Sequence, residues 1–503
     1  MMNIKQAKQE IVDTVQAYLL KNEYGEYVIP RVHQRPVLLL GAPGIGKTQI
    51  MEQAARECKV ALVAYTITHH TRQSAIGLPF ISKKEYGGKE YSATEYTMSE
   101  IVASIYDRMR ETGLTEGILF IDEINCVSET LAPAMLQFLQ CKTFGNHEIP
   151  EGWVIVAAGN PPEYNKSVRD FDVVTLDRVK KIMVEPDYRI WKEYAYKENI
   201  HPAILSYLEL RSNCFYQMET TIDGRQFATP RGWEDLSRMM EVYERLNKNI
   251  TKEVVGQYIQ HERISVEFAE YYELYQKYQQ DYQIAEILKG KPSEAMVKKV
   301  SHAPFDERVS VVNLLFSGVR QAVREVVLQE EVLEKVFEIL KLLKEPQEGG
   351  KLLERLGDYV DNLRMEREQK QKEGLLERRE DRTIRKALDL LENYRLLLKK
   401  ESGESWEEAF DILRSAFGET RGEWEEAWDQ AAASLECAFD FMEAAFYNSQ
   451  EMVIFYPGSI QTIPVYVSLK HTSVSATSVT TKICCLRMQE RRYEKGLKNC
   501  KII

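Results

Sequence analysis

The stretch RPVLLLGAPGIGKTQIMEQAARE, Arg35 to Glu57, confines the N-terminal part of this chain to few folds. Val37–Leu40 is an apolar run of strand length, and an amphipathic helix is predicted to follow Thr48. Between them lies a loop of the form Gly-x4-Gly-Lys-Thr, through Gly41, Gly46, Lys47 and Thr48. Glycines let successive backbone N–H groups converge on phosphate oxygens, the lysine adds a point charge, and the threonine offers a hydroxyl to Mg²⁺. The helix turns the positive end of its dipole toward the same anion. Strand, loop and helix in this order predict a parallel α/β sheet with a phosphate site on the loop.

A second strand is predicted in GILFIDEIN, where the apolar run Ile118–Ile121 leads directly to Asp122 and Glu123. A run without polar alternation suits a central parallel strand covered on both faces. Carboxylates at its C-terminal end fall where ligands bind in such sheets. Asp122 is suited to hold magnesium, and Glu123 to polarise an attacking water as general base. A third strand, in WVIVAAGNPPEYN, ends at Asn160, and Pro161 and Pro162 stop it by removing backbone donors. The amide at its tip is placed to bond the γ-phosphate or its water.

The order GAPGIGKT, ILFIDEIN, VAAGNPPEYN, TLDR and TPRGW resembles an AAA+ ATPase, with wording similar to the MoxR branch and its dynein-related relatives. The resemblance covers about residues 1–260. It implies an α/β fold: an AAA+ P-loop αβα sandwich with a parallel sheet and a helical lid, followed by a mainly α-helical C-terminal region. It implies ATP and Mg²⁺ as ligands. The cofactor-binding residues would be Gly41, Pro43, Gly44, Ile45, Gly46, Lys47, Thr48 and Gln49, with Thr48 and Asp122 on the metal. Glu123 would complete the Walker B pair, Asn160 would be sensor 1, Arg178 the arginine finger and Arg231 the sensor 2 arginine. The stretch NPPEYNKSVRDFDVVTLDR departs from typical MoxR wording and makes Arg169 a rival finger.

For Arg178 a second reading stands beside the finger: a surface ion pair with Asp177 or Glu185, worth about 0–1 kcal/mol. Adjacent helical residues do not face each other, which disfavours Asp177. Val173, Val174 and Leu176 are expected to anchor the segment and leave Arg178 projecting. Arg231 falls in the first turn of a helix predicted to start at Thr229-Pro230, with Leu236, Met239, Met240 and Tyr243 on its apolar face. A cation there opposes the helix dipole, so an anionic partner is expected.

The expected domains are a nucleotide-binding core at residues 1–185, a lid at 186–260, a helical domain at 261–450 and an atypical tail at 451–503. The core includes an N-terminal helix and a β-hairpin insert near 66–97, punctuated by Gly77-Leu78-Pro79 and Gly87-Gly88. His69, His70, Arg72, Lys83 and Lys84 on that insert are either partner contacts or a solvated surface. In the helical domain, tyrosines of EFAEYYELYQKYQQDYQ and Trp406, Trp424 and Trp428 read as core. From Met452 onward eight Lys or Arg stand against two acids, in a chain of net charge −11. That tail is either a disordered or β-rich appendage or a segment read in a shifted frame.

The eight cysteines show no CxxC pair and read as small buried hydrophobes of a reducing cytoplasm. No apolar run reaches bilayer length, and the N-terminus lacks the continuous apolar core of a secretory signal. A cytoplasmic protein without membrane partner is expected. The chain should hydrolyse MgATP in a ring, a hexamer by the resemblance, that remodels or matures protein complexes, with a von Willebrand factor A domain protein as possible companion. Two alternatives stay open: a nucleic-acid-associated motor or loader, disfavoured by the acidic balance, and a nucleotide-gated scaffold with little turnover. Guanine preference, client and ring stoichiometry are not legible in the residues.

Overall fold

The computed structural model describes residues 1–69, 77–127, 131–144, 147–164, 171, 173–221, 224–344, 351–401 and 405–446. Arg169, His70, Arg72 and the tail from residue 451 lie outside them, as does the side chain of His69. The chain forms two compact units. The first is Met1–Glu193 with Thr229–Gly232 and Arg364–Glu380; the second is Tyr194–Ala228, Trp233–Leu363 and the chain from Asp381.

In the first unit helix α1 (Ile4–Leu19) precedes strand β1 (Val37–Gly41), helix α2 (Lys47–Cys58) and strand β2 (Ala61–Thr66). A hairpin of β3 (Pro79–Tyr86) and β4 (Lys89–Tyr96) leads to α3 (Glu100–Thr112), β5 (Gly117–Asp122) and α4 (Ala132–Cys141). The short strands β6 (Thr143–Phe144) and β7 (His147–Glu148) are followed by β8 (Trp153–Gly159), α5 (Val173–Arg178), β9 (Lys180–Val184) and α6 (Tyr188–Glu198).

One parallel sheet runs in the order β2-β5-β8-β1-β9. Every residue of β1 and β8 is buried, which is why both read as unbroken apolar runs. Leu38, Leu40, Leu119, Ile121, Ile155 and Ala157 share a core with Ile101 and Ile105 of α3 and Phe138 of α4. Val37, Leu39, Ile118, Phe120, Val154 and Val156 are equally buried on the alternate positions of the strands. There α2 packs on α1 and on β5, giving three layers. β1 lies between β8 and β9, yet the chain leaves it for the far edge strand β2, so a crevice opens at its C-terminal end. The register pairs Leu40 with Gly159 and Ile121 with Ala157, which brings the ends of β1, β5 and β8 to one edge.

In the second unit α7 (Pro202–Leu210) and the hairpin β10 (Gln217–Thr221)–β11 (Gly224–Ala228) precede α8 (Pro230–Arg245), whose first turn up to Gly232 belongs to the first unit, then α9 (Lys252–Tyr258) and α10 (Glu262–Asp281). Short helices α11 (Ile284–Leu288) and α12 (Glu294–Ser301) lead to α13 (Phe305–Leu342), α14 (Leu352–Glu373), α15 (Arg378–Glu401) and α16 (Trp406–Phe446), of which α14 from Arg364 on and α15 up to Glu380 belong to the first unit. Tyr207, Trp233 and Phe268 pack ring on ring, with Tyr207–Phe268 centroids 5.3 Å apart and Trp233–Phe268 centroids 5.4 Å apart. α13 packs along α16, where the Trp424 Nε1–H donates to the Val326 carbonyl at 3.1 Å. Trp406 makes the same kind of bond to Leu343 at 3.2 Å. Tyr207, Trp233, Phe268 and Trp424 are core, and the Trp424 indole N–H finds the backbone acceptor that burial requires. Trp406 and Trp428, expected as core, are only half-buried.

Two further expectations are corrected. Val173 and Val174 do not anchor α5: they are 81% and 58% exposed, and Thr175 is the buried residue there, with Leu176 packed against the core. A six-residue helix on a sheet edge buries one narrow stripe, so adjacent apolar residues cannot all face inward. Of the cysteines among the described residues, Cys214 alone is buried; Cys141 is exposed, and Cys58, Cys126 and Cys437 lie between. No helix of the described residues is long and apolar enough to cross a membrane.

Candidate active site

The loop after β1 wraps around the Lys47 ammonium. Its Nζ donates to the carbonyls of Gly41 at 2.8 Å and Ala42 at 2.9 Å, and to Asn160 Oδ1 at 2.8 Å. Among the described residues no carboxylate forms an ion pair with it, and the residue is only 8% exposed. Burial therefore lowers its pKa from 10.5 to about 8; Asp122 pulls it back up and the Arg231 charge pushes it further down. A buried cation facing neutral acceptors, with a second cation near, is a site that an anion relieves. These residues fit a phosphate group.

Gly44 holds the loop open at φ 74°, a conformation that side chains resist. A β-carbon on it would lie 3.0 Å from Thr229. Its carbonyl accepts from the Arg231 N–H at 3.2 Å, and Thr229 Oγ1 accepts from the Gly232 N–H at 3.2 Å. The start of α8 is thus capped by Thr229 and tied to the phosphate loop through backbone. Gly46 caps α2, Ile45 is buried, Pro43 is half-buried and Gln49 is exposed.

Across the crevice Thr48 Oγ1 donates to Asp122 Oδ2 at 3.1 Å, while Asp122 Oδ1 accepts the Glu123 N–H at 2.9 Å. Hydroxyl and carboxylate oxygens side by side suit Mg²⁺, which needs one or two protein ligands and takes the rest from water and phosphate. Among the described residues no cluster of three or more His, Cys, Asp or Glu could hold a metal alone. Glu123 sits at φ 58°, in the left-handed region, a strain of about 1–2 kcal/mol for a residue with a side chain. Bonds from Cys126 N–H to Glu123 O and from Ile124 N–H to Ala158 O, both 2.9 Å, hold that turn. Asp122 ends β5 and Glu123 follows it, both part-buried near Lys47.

Arg178 is exposed at the end of α5 and donates to the Gln140 side-chain carbonyl. Among the described residues it forms no ion pair with Asp177 or Glu185, so the surface-pair reading does not describe it. Arg231 is exposed in the first turn of α8. The structure brings Lys47, Thr48, Asp122, Glu123, Asn160 and the backbone of Arg231 to one crevice; Arg178 stands at a different position, on α5.

Three residues were not legible as site members. Asn125 bonds the backbone of Asn160, Thr229 packs on Gly44, and Gln140 holds Arg178. Asn125 lay in view within DEIN, a polar residue next to two carboxylates, but nothing local says that it reaches a neighbouring strand. Residues 36–179 match the family model of the AAA domain, dynein-related subfamily. No curated protein matches the chain. The order of the strands, the loop around Lys47 and the family match agree, and the N-terminal part of this chain is an AAA+ ATPase domain of the dynein-related branch.

Proposed function

We propose that this chain hydrolyses ATP as a subunit of a ring and uses the cycle to remodel or mature protein complexes, as the MoxR resemblance implies. The observation that carries the reading is the Lys47 ammonium, buried among neutral acceptors and bonded to Asn160 at 2.8 Å. Lys47 and the loop N–H groups bind the phosphates, and Gly44 leaves room for backbone to approach them. Thr48 and Asp122 would hold magnesium, which would supply positive charge to the phosphates. Glu123 takes the proton of the attacking water, and Asn160 orients that water against the γ-phosphoryl group. Arg231 answers the nucleotide from the first turn of α8 and links α8 to its state.

Arg178 completes the pocket of the adjoining protomer. Its exposure and its neutral partner Gln140 support that role, since an amide hydrogen bond worth about 1 kcal/mol is readily exchanged for a phosphate. An arginine aimed at the charge developing in phosphoryl transfer is worth about 10³–10⁵ in rate. The reading is tested with Glu123→Gln. Loss of turnover with nucleotide binding retained is expected; turnover equal to that of the unaltered chain would leave only a nucleotide-gated scaffold.

A further inference from the structure

We propose that Asn125 is a positioning residue for hydrolysis, a side-chain clamp that sets the spacing between Glu123 and Asn160. The inference rests on the hydrolytic reading of this site. Asn125 is 5% exposed. Its Nδ2 donates to the Asn160 carbonyl at 2.8 Å, and its Oδ1 accepts the Asn160 N–H at 3.3 Å. One carboxamide thus satisfies both backbone groups of the residue whose side chain meets Lys47.

Both ends of the clamp need it. Beyond Asn160 stands Pro161, which has no N–H with which to continue the strand pairing. Glu123 lies two residues before Asn125 in a turn closed by the Cys126 N–H, and its left-handed φ of 58° persists only where the surroundings hold it. Gly159 confirms how close the amide lies: a β-carbon there would meet Asn125 Oδ1 at 2.5 Å. Asn is the side chain for the position on chemical grounds. Aspartate lacks the donor, leucine lacks donor and acceptor, and glutamine is one methylene too long for a packed site. The clamp touches neither phosphate nor water; it acts through Glu123 and Asn160.

The test is Asn125→Asp, which keeps the shape and exchanges the donor for a second acceptor facing the Asn160 carbonyl. At pH near 8, kcat should fall about 10–100-fold, the size of a small misplacement of reacting groups. The dissociation constant for ATP should stay within about threefold, because the loop around Lys47 is untouched. Lowering the pH should shrink the deficit relative to the unaltered chain, as the introduced carboxyl is protonated and regains a donor. Asn125→Ala should show the loss without that recovery. Gly159→Ala, pressing on the same amide from the strand side, should reproduce the kcat loss and serves if either Asn125 variant does not fold. Equal loss in binding and in kcat, or a deficit that ignores pH in Asn125→Asp, would reduce Asn125 to a structural residue and overturn the clamp. So would unaltered kcat in these variants while Glu123→Gln is inactive. If Glu123→Gln itself turns over normally, the hydrolytic reading falls and the clamp with it.

Discussion

Lys47 has two opposed demands on it: burial favours the neutral amine, and phosphate favours the ammonium. Its folded pKa of about 8 lies below the unfolded 10.5, so between these values the unfolded chain binds more protons. Stability therefore carries a penalty below pH 8 that is relieved as pH rises toward 10.5. Nucleotide binding needs the charged form. Near pH 8 it should take up a substantial fraction of a proton, and above it affinity should fall by up to about tenfold per pH unit. Calorimetry in two buffers of different ionisation enthalpy measures the uptake; an enthalpy independent of buffer would contradict it. Gly44 offers a second check. At φ 74° and 3.0 Å from Thr229, Gly44→Ala should cost about 1–2 kcal/mol in denaturant unfolding and weaken nucleotide binding.

At the scale of elements, α8 shows how far periodicity reaches. Its start was legible because threonine caps and proline suits the first helical position, and Thr229 does accept the Gly232 N–H. Its buried face is centred on Trp233, Leu236 and Met240, while Met239 is half-buried and Tyr243 only partly covered. Trp233 is fully buried, and its indole N–H is shared between the carbonyls of Cys214 and Phe215. Trp233→Ala should destabilise the second unit by about 3–5 kcal/mol, read as a lower urea midpoint in the tryptophan-independent far-UV signal. α5 marks the opposite limit. Its valines looked like anchors, but a short edge helix has too little inward surface to bury neighbouring positions.

For the whole molecule the proposed assembly makes the sharpest demand. Chains carrying Lys47→Ala and chains carrying Arg178→Ala should each be inactive, yet regain part of the activity when mixed, because an intact pocket then forms at some interfaces. Specific activity of the unaltered chain should also rise with protein concentration and then level off. A second long-range feature lies within the first unit. Arg108 of α3 donates to the carbonyls of Lys372 and Glu373, both at 2.9 Å, and so holds the end of α14 where the chain turns into α15. Charged donors on free helix-end carbonyls contribute about 1–2 kcal/mol at a partly exposed site. Arg108→Ala should speed amide exchange in residues around Gly374 about tenfold, while exchange in β1 and β8 stays unchanged.

Local order along the chain determined the phosphate loop, the three strands, each read to within a residue of its observed end at Gly41, Asp122 or Gly159, and the positions of Lys47, Thr48, Glu123 and Asn160. These features are legible because glycine conformation, apolar runs and proline stops act over a few residues. Tertiary structure decided the rest: that Asn125 grips Asn160 across two strands, that Thr229 presses on Gly44, that Arg108 reaches a turn more than two hundred residues on, and that Val173 and Val174 face outward. Such contacts depend on which surfaces meet after the sheet has closed, and residues distant in the chain carry no local sign of their partner.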